Sequence, residues 1–418
     1  MNPEAIERMI EQGRDSYEAR LAAGQARLKR GEIGQAVVHL ERASEQEPGK
    51  TMAWQSLGEA YLARGQVDEA GAAWDQGIEV AAANGDSQAE KVMRVFRKRL
   101  DKRAPLPDPR AVFAVGRLLA LPTETVYGLA APINRTELIE RVFSLKGRPM
   151  DHPLIVHVGS VEQARSCVSD WPDAAQALSR AFWPGPLTLV LPRSERISLA
   201  ITGGQSTVAL RMPDHPLALR LLEAAGVPMV APSANRFTRL SPTRADDVAA
   251  AFSSRDVEVV DGGPCQVGIE STIVALDAQQ QTASVLRPGV IPVDEIAAVL
   301  PPAWRIAEPA TDAGRSPGQM AVHYRPERPL RVEILSDGAA RDTRLDALRA
   351  SPDQQPVDLP AAADQAARAL YAALRQGEQS EAGELVVLLT RAELGDPAWA
   401  GIVNRLNKAA SSWIEPVS

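Results

Sequence analysis

The sequence predicts an α/β protein with an all-helical segment in front of it, and three observations carry that expectation. Residues 1–103 are rich in Ala, Glu, Gln and Arg, with Pro only at 3 and 48, which is a helical composition. Beyond residue 110, short runs rich in Val, Ile and Leu alternate with amphipathic stretches, as strands alternate with helices in an open twisted sheet. Between them, residues 121–157 read as strand end, polar turn, helix, basic turn and strand.

Composition narrows the classes. At 418 residues the chain exceeds what one core can serve, and two to four domains are expected. A hydrophobic share of 45% with 24% charged residues is that of an ordinary globular protein. The formal net charge of -7 argues against a protein held on nucleic acid by bulk electrostatics. Cys167 and Cys265 are the two cysteines, which leaves no disulfide framework and no cysteine-rich metal site. The opening residues hold no apolar stretch that would act as a secretion signal, and no run reaches membrane-spanning length; a cytoplasmic protein is expected.

The helical segment repeats. Gly24, Gly31, Ala36 and Leu40 recur 34 residues later as Gly58, Gly65, Ala70 and Trp74, the period and small-residue pattern of tetratricopeptide repeats. Ser87 and Glu90 are spaced as a capping box, opening a third helix that would run to about Arg103. Such arrays commonly bind a protein partner, and a docking role with an unidentified partner is expected. Gly49-Lys50-Thr51 ends like a phosphate-binding loop, but Ser44 stands where the first Gly is required and no strand precedes it, so that reading is rejected.

Three prolines in 104–109 mark a linker. Apolar runs then fall at 154–158, 187–191, 207–210, 227–231, 257–260, 272–276 and 284–286, with helical stretches at 160–168, 173–182, 216–225 and 243–252. Prolines at 301, 302, 309, 317 and 326 mark a second linker. After it, Val332–Leu335 and Leu385–Leu389 read as strands, and Ala361–Arg375 and Ala400–Ala410 as helices, while 336–360 has no clear pattern. The expected organisation is therefore a repeat domain at 1–103, a sheet domain at 104–300, a Pro-rich linker at 301–326 and a small α/β domain at 327–418.

Chemistry is concentrated in the sheet domain. HExxH, paired CxxC, GxSxG and strand-following GxGxxG motifs are all missing, which removes the usual metal and hydrolase readings. His39 lies in the repeats and reads as a packing or surface residue. Instead, polar turns recur beside apolar runs: Thr123 and Thr125 after Leu118–Leu121, Lys146 and Arg148 after the helix Asn134–Leu145, Arg211 at the end of 207–211, Ser233 and Asn235 after 227–231, Ser241, Ser271, and Arg287. Polar residues at successive strand ends of an open sheet converge on one crevice. Cations on rigid turns with many hydroxyls suit a polyphosphate and a small carboxylate, since Arg binds either bidentately and Lys acts as a compact charge.

The stretches PTETVYGL (122–129), KGRP (146–149), PLIVH (153–157), WPGPLTLVL (183–191), ALRMPDHP (209–216), PSAN (232–235), GIESTIV (268–274) and LRPG (286–289) together resemble the YrdC-like threonylcarbamoyl-AMP synthases. SPGQMAVHYRP (316–326), ALYAALR (369–375) and VNRLNKAA (403–410) resemble the interdomain linker and terminal domain of the family's long, two-domain branch. The resemblance implies a YrdC-like sheet domain followed by a Rossmann-like terminal domain. It implies synthesis of threonylcarbamoyl-AMP from L-threonine, bicarbonate and ATP with release of pyrophosphate, Mg2+ accompanying the ATP. The product would supply the tRNA threonylcarbamoyl-transfer machinery that modifies the adenosine beside the anticodon, without stable nucleic-acid binding and without a membrane.

Carried over by position, Lys146 and Arg148 would be catalytic and, with Ser233 and Asn235, hold the nucleotide phosphates. His152, Thr207, Ser241, Arg287 and His323 would also lie at ATP, with His323-Tyr324 folding over the site as a lid. Arg211, Ser271, Thr123, Thr125 and His157 would lie at threonine; no side chain is implied as a metal ligand. Ala130-Ala131-Pro132 departs from the family's glycine-containing stretch, the helix before the first strand is cut to about 108–115, and repeats are not a standard family part. The alternatives are a non-catalytic nucleotide- or RNA-binding module, or a protein that works mainly through its repeats.

Overall fold

The computed structural model describes residues 3–101, 106–308 and 323–415. The expected helix end at Arg103, the start of the 104–109 linker and residues 309–322 of the Pro-rich linker lie outside the described residues. The chain forms two compact units, Met1–Leu106 and Pro107–Ser418.

The first unit is helical: α1 (Pro3–Glu11), α2 (Tyr17–Lys29), α3 (Ile33–Gln46), α4 (Thr51–Arg64), α5 (Val67–Asn84) and α6 (Ser87–Asp101). Residues 34 apart do the same work. A Cβ added to Gly24 would stand 2.5 Å from Leu40 Cγ, and one added to Gly58 2.2 Å from the Trp74 indole nitrogen. Both glycines therefore let the two helices of a pair touch. Gly31 and Gly65 turn the chain between those helices at φ of +78° and +74°, a region open to glycine at little cost. Ala36 and Ala70 are fully buried. The expected capping box is corrected: the Asp86 side chain, not Ser87, accepts the Ala89 N–H at 3.1 Å. Helix α1 was not anticipated. Its Glu7 accepts from Arg27 Nε at 2.9 Å and lies 2.9 Å from His39 Nε2. Arg20 Nη1 stands 3.2 Å from His39 Nδ1. Because a guanidinium only donates, Nδ1 accepts and Nε2 carries the proton, so His39 is a buried relay between two charged partners.

The second unit holds fourteen strands among its described residues. They are β1 (Leu118–Leu121), β2 (Gly128–Pro132), β3 (Ile155–His157), β4 (Leu187–Pro192), β5 (Thr207–Arg211), β6 (Met229–Val230), β7 (Val257–Val259), β8 (Thr272–Asp277), β9 (Thr282–Arg287), β10 (Arg305–Ile306), β11 (Leu330–Leu335), β12 (Gln354–Val357), β13 (Glu384–Thr390) and β14 (Ser412–Ile414). Ten form one mixed sheet in the order β10-β9-β8-β4-β5-β3-β6-β2-β1-β7. The seven expected apolar runs supply β3 to β9. Strand β2 was missed because Ala130, Ala131 and Pro132 look weak as a strand. The family departure thus builds a fully buried strand that pairs Ala131 with Val230.

The remaining four strands form a parallel sheet, β12-β13-β11-β14. Its continuous apolar run Leu385–Leu389 is buried throughout, as expected for a parallel strand covered on both faces. The unassigned 336–360 segment forms the helix Gly338–Arg349 and β12. Tyr324, Leu330, Val332, Leu370, Tyr371, Ile402 and Leu406 share one apolar cluster with Val126, Leu240 and Ile269 of the ten-stranded domain. The helix Ala400–Ala409 reaches that domain backbone to backbone: a Cβ on Gly401 would lie 2.7 Å from the Gly289 carbonyl oxygen. Among the described residues no helix is long and apolar enough to cross a membrane.

Replacing Gly58 by Ala should cost about 1–3 kcal/mol by overpacking against the rigid Trp74 ring. Gly24→Ala should cost less, because its neighbour is the end of a flexible Leu. Amide exchange across 51–84 should quicken in Gly58→Ala and remain at wild-type rates across 384–390.

Candidate active site

Strand ends and turns of the ten-stranded sheet, with the His323-Tyr324 segment, line a part-open cavity. Arg148, His157, Arg211, Ser233, Ser271, Arg287 and His323, all expected from sequence, line it. Three arginines in one cavity make it a site for anions. Each is buried, and each is held by oxygens the backbone supplies.

Arg148 follows Gly147, which caps its helix at φ +66°. Its Nη2 donates to the Pro153 carbonyl at 2.9 Å, and its guanidinium lies 5.9 Å from the Phe237 ring centre. Burial lowers its pKa to about 10, so it stays charged at neutral pH. Arg211 ends β5 beside His157 at the end of β3. Its Nε donates to Gly185 O at 3.2 Å and its Nη1 to Thr125 Oγ1 at 2.7 Å, while Nη2 pairs with Glu124 at 2.6 Å. Arg287 ends β9 and donates through Nε and Nη2 to Ser271 O at 3.1 and 2.9 Å. Ser271 Oγ in turn lies 2.7 Å from Thr188 Oγ1.

Lys146 is placed differently from the expectation. Its ammonium donates to Ser233 O, to Asn235 O at 2.7 Å and to Asn235 Oδ1 at 3.2 Å. Those three acceptors occupy its three protons, and Lys146 is not among the residues lining the cavity. Burial, with Arg148 nearby, holds its pKa well below the usual lysine value. The physical reason is direction: the last turn of its helix points the side chain under the 232–235 turn, leaving Arg148, beyond the glycine, to face the cavity. Asn235 is likewise internal, accepting from Ser233 Oγ at 2.6 Å and donating to Arg239 O at 2.6 Å.

Thr123 and Thr125 are buried behind Arg211, with their hydroxyls 2.9 Å apart and Thr123 donating to Val126 O at 2.6 Å. His152 packs edge-on to Phe237, ring centres 5.5 Å apart, outside the lining. Ser241 is buried and donates to Glu270 Oε1 at 2.5 Å. Thr207 lies apart: it opens β5, opposite Pro192, at the far end from Arg211. Four residues of extended chain separate the two by about 13 Å, and Thr207 does not line the cavity.

Sequence reasoning passed over Glu124, Glu270, Thr188 and Phe237 although each sits inside or beside a quoted motif. A search for anion-binding cations gave no weight to the acids that hold those cations in place. Burial alone would raise the Glu270 pKa, but Arg405 and Arg287 outweigh it and hold the carboxyl at about 2. His157 and His323 are neutral: burial foremost, and Arg211 for His157, lower each to about 3. Among the described residues their Nδ1 atoms have no hydrogen-bond partner. Among the described residues no cluster of three or more His, Cys, Asp or Glu could hold a metal, and the Glu270 oxygens are taken by Ser241, Tyr371 and Arg405.

Three family models match the chain. That described as Telomere recombination, grouping Sua5, YciO and YrdC proteins, matches residues 111–289. That of the threonylcarbamoyl-AMP synthase C-terminal domain matches 291–411, and a tetratricopeptide-repeat model matches 27–92. The chain is 42% identical over 232 residues to a threonylcarbamoyl-AMP synthase of Pyrococcus abyssi, covering 54% of this chain and 66%, just under two thirds, of that relative. It is 38% identical over 156 residues to the threonylcarbamoyl-AMP synthase of Marinobacter nauticus, covering 37% of this chain and 81% of the relative. A crystal structure of P. abyssi Sua5 complexed with L-threonine superposes with a TM-score of 0.66 at 32% identity, covering 75% of this chain and 98% of that one.

The buried titrating groups set a pH dependence. Both histidines have folded pKa values of about 3 against an ordinary 6.5, so the unfolded chain takes up their protons first. Stability should fall as pH drops from 6.5 toward 3. Glu270, depressed to about 2 from 4.5, adds stability present above 4.5 and lost as pH falls toward 2. Urea midpoints at pH 7, 5.5 and 4.5 should decline in that order, with a shallower decline in His157→Gln.

Proposed function

The chain belongs to the Sua5/YrdC family of threonylcarbamoyl-AMP synthases, and from that membership we propose that it joins L-threonine, bicarbonate and ATP into threonylcarbamoyl-AMP, releasing pyrophosphate. The observation that carries this reading is the cavity lined by Arg148, Arg211 and Arg287 with Ser233 and Ser271. It offers charge and hydrogen bonds, and among its lining residues there is no cysteine and no metal cluster.

That is what the reaction needs. The amine of threonine forms a bond to the bicarbonate carbon, one C–O bond breaks with loss of water, and a carbamate results. A carbamate oxygen then attacks the α-phosphorus, and the bond to the pyrophosphate oxygen breaks. Negative charge accumulates on the phosphoryl oxygens, so fixed cations in a water-poor cavity accelerate the step by electrostatic stabilisation and positioning. Arg148 and Arg287 are assigned to the phosphates, and Arg211, backed by Glu124, to the threonine carboxylate. Neutral His157 has an open acceptor nitrogen for the threonine ammonium or hydroxyl. Lys146 acts from behind: by gripping the Ser233 and Asn235 carbonyls it shapes the turn that presents Ser233. Mg2+ would enter with the ATP phosphates and add charge neutralisation there.

The product would pass to the machinery that transfers threonylcarbamoyl to the tRNA adenosine beside the anticodon. The repeats would dock a protein partner.

Pyrophosphate release should require ATP, L-threonine and bicarbonate together, with the adenylate detected by mass; release that ignores L-threonine would overturn the reading. Arg148→Ala should lower kcat/KM about a hundredfold or more by removing charge at the phosphates. Lys146→Ala should lower it too, but by loosening the 232–235 turn, so hydrogen exchange there should quicken in Lys146→Ala and not in Arg148→Ala.

A further inference from the structure

The carboxylate of Glu270 lies where the two sheets of the second unit meet, and the terminal domain has hold of it. Arg405 on the helix Ala400–Ala409 donates from Nε to Glu270 Oε2 at 3.0 Å and from Nη2 to the Glu270 carbonyl at 2.9 Å. Its third nitrogen donates to Pro288 O. Tyr371 on the helix Ala363–Glu378 donates to Glu270 Oε2 at 3.0 Å. Arg375, one turn further on, donates to Leu240 O and Ser241 O at 2.9 and 2.7 Å. All four side chains are largely out of water, Arg405 being 1% exposed.

Each gripped point adjoins a residue of the cavity. Glu270 itself lines the cavity beside Ser271, Pro288 follows Arg287, and Ser241 hangs directly on Glu270. One guanidinium therefore fixes the 268–271 turn and the end of β9 together, and through Glu270 it fixes Ser241.

We propose that Arg405 is a positioning residue for the synthase reaction: it touches no substrate, and through Glu270 it sets Ser271, Arg287 and Ser241 at once. The terminal domain is thereby a part of the active-site scaffold. This rests on the synthase reading above. Because Arg287 is assigned to the phosphates and Ser271 is expected at threonine, loss of the grip acts on both half-sites. A residue serving one side would move one KM alone.

The test uses the full chain with Arg405→Lys, which keeps the charge and loses the fork. KM for ATP and KM for L-threonine should both rise, with kcat/KM down about tenfold to a hundredfold, the scale of a misplacement near 1 Å. The control is Leu348→Ala, fully buried in the cluster on the opposite face of the four-stranded sheet. It should lose stability with both KM values unchanged, showing that destabilising the domain does not by itself move them. If Arg405→Lys does not fold, Glu270→Gln combined with Arg405→Met replaces the ion pair by a neutral one, a change that buried pairs tolerate. Raised KM values for both substrates in that folded variant support the proposal. Wild-type kinetics in either folded variant overturn it. A wild-type chain without turnover would instead defeat the synthase reading, and this inference with it.

Discussion

A cation taken out of water needs oxygen atoms around it, and the ten-stranded domain has four such cations to satisfy within one small region. An unmatched buried charge is too costly to retain, so the turns around Lys146, Arg148, Arg211 and Arg287 are as much their solvent as their scaffold. The oxygens come largely from the backbone: Ser233 and Asn235 for the lysine, Pro153, Gly185 and Ser271 for the arginines. Carbonyls at strand ends are available because no further ladder partner claims them. The site therefore falls where strands stop, and the shape of each turn is tied to the cation it serves. Glu124 and Glu270 neutralise part of this charge, and the remainder suits the phosphate and carboxylate of the proposed reaction.

Much of this was legible in the chain. The arginines could be read because residue type and turn position coincide, and the repeats because Gly58 and Trp74 restate Gly24 and Leu40 at a fixed interval. The helices and strands with strong periodicity were found within a few residues of their ends. What escaped shares a cause. Strand β2 is made of Gly, Ala and Pro, whose side chains carry almost no pattern, and it exists because β1 and β6 flank it. The segment 336–360 hides a helix of low amphipathic contrast, Gly338–Arg349. The direction of Lys146 depends on a helix-end geometry that spacing does not encode. Tyr371 and Arg405 stand in quoted motifs, yet their partner lies 101 and 135 residues away. Only the folded chain brings them together.

The two acids missed in the sequence clarify how the halves of the cavity differ. Glu124 braces Arg211 from within the same domain, across a turn that the hydroxyls of Thr123 and Thr125 already stiffen. Glu270 is braced from the other domain. One half of the cavity is thus held by groups of the ten-stranded domain alone, and the other by groups of the four-stranded domain as well. The apolar cluster shared by Tyr324, Tyr371, Leu406, Ile269 and Leu240 supplies the docking energy, and the polar grip sets its register.

That register depends on something absent. Gly401 meets the Gly289 carbonyl with no side chain on either, and a Cβ on Gly289 would stand 2.4 Å from the Thr272 amide nitrogen. Helix, loop and strand are stacked there at bare-backbone thickness. The pair works as a spacer of zero width between the helix Ala400–Ala409 and the loop that follows β9. A side chain at either position would hold that helix off the loop, and with it the Arg405 fork off Pro288 and Glu270.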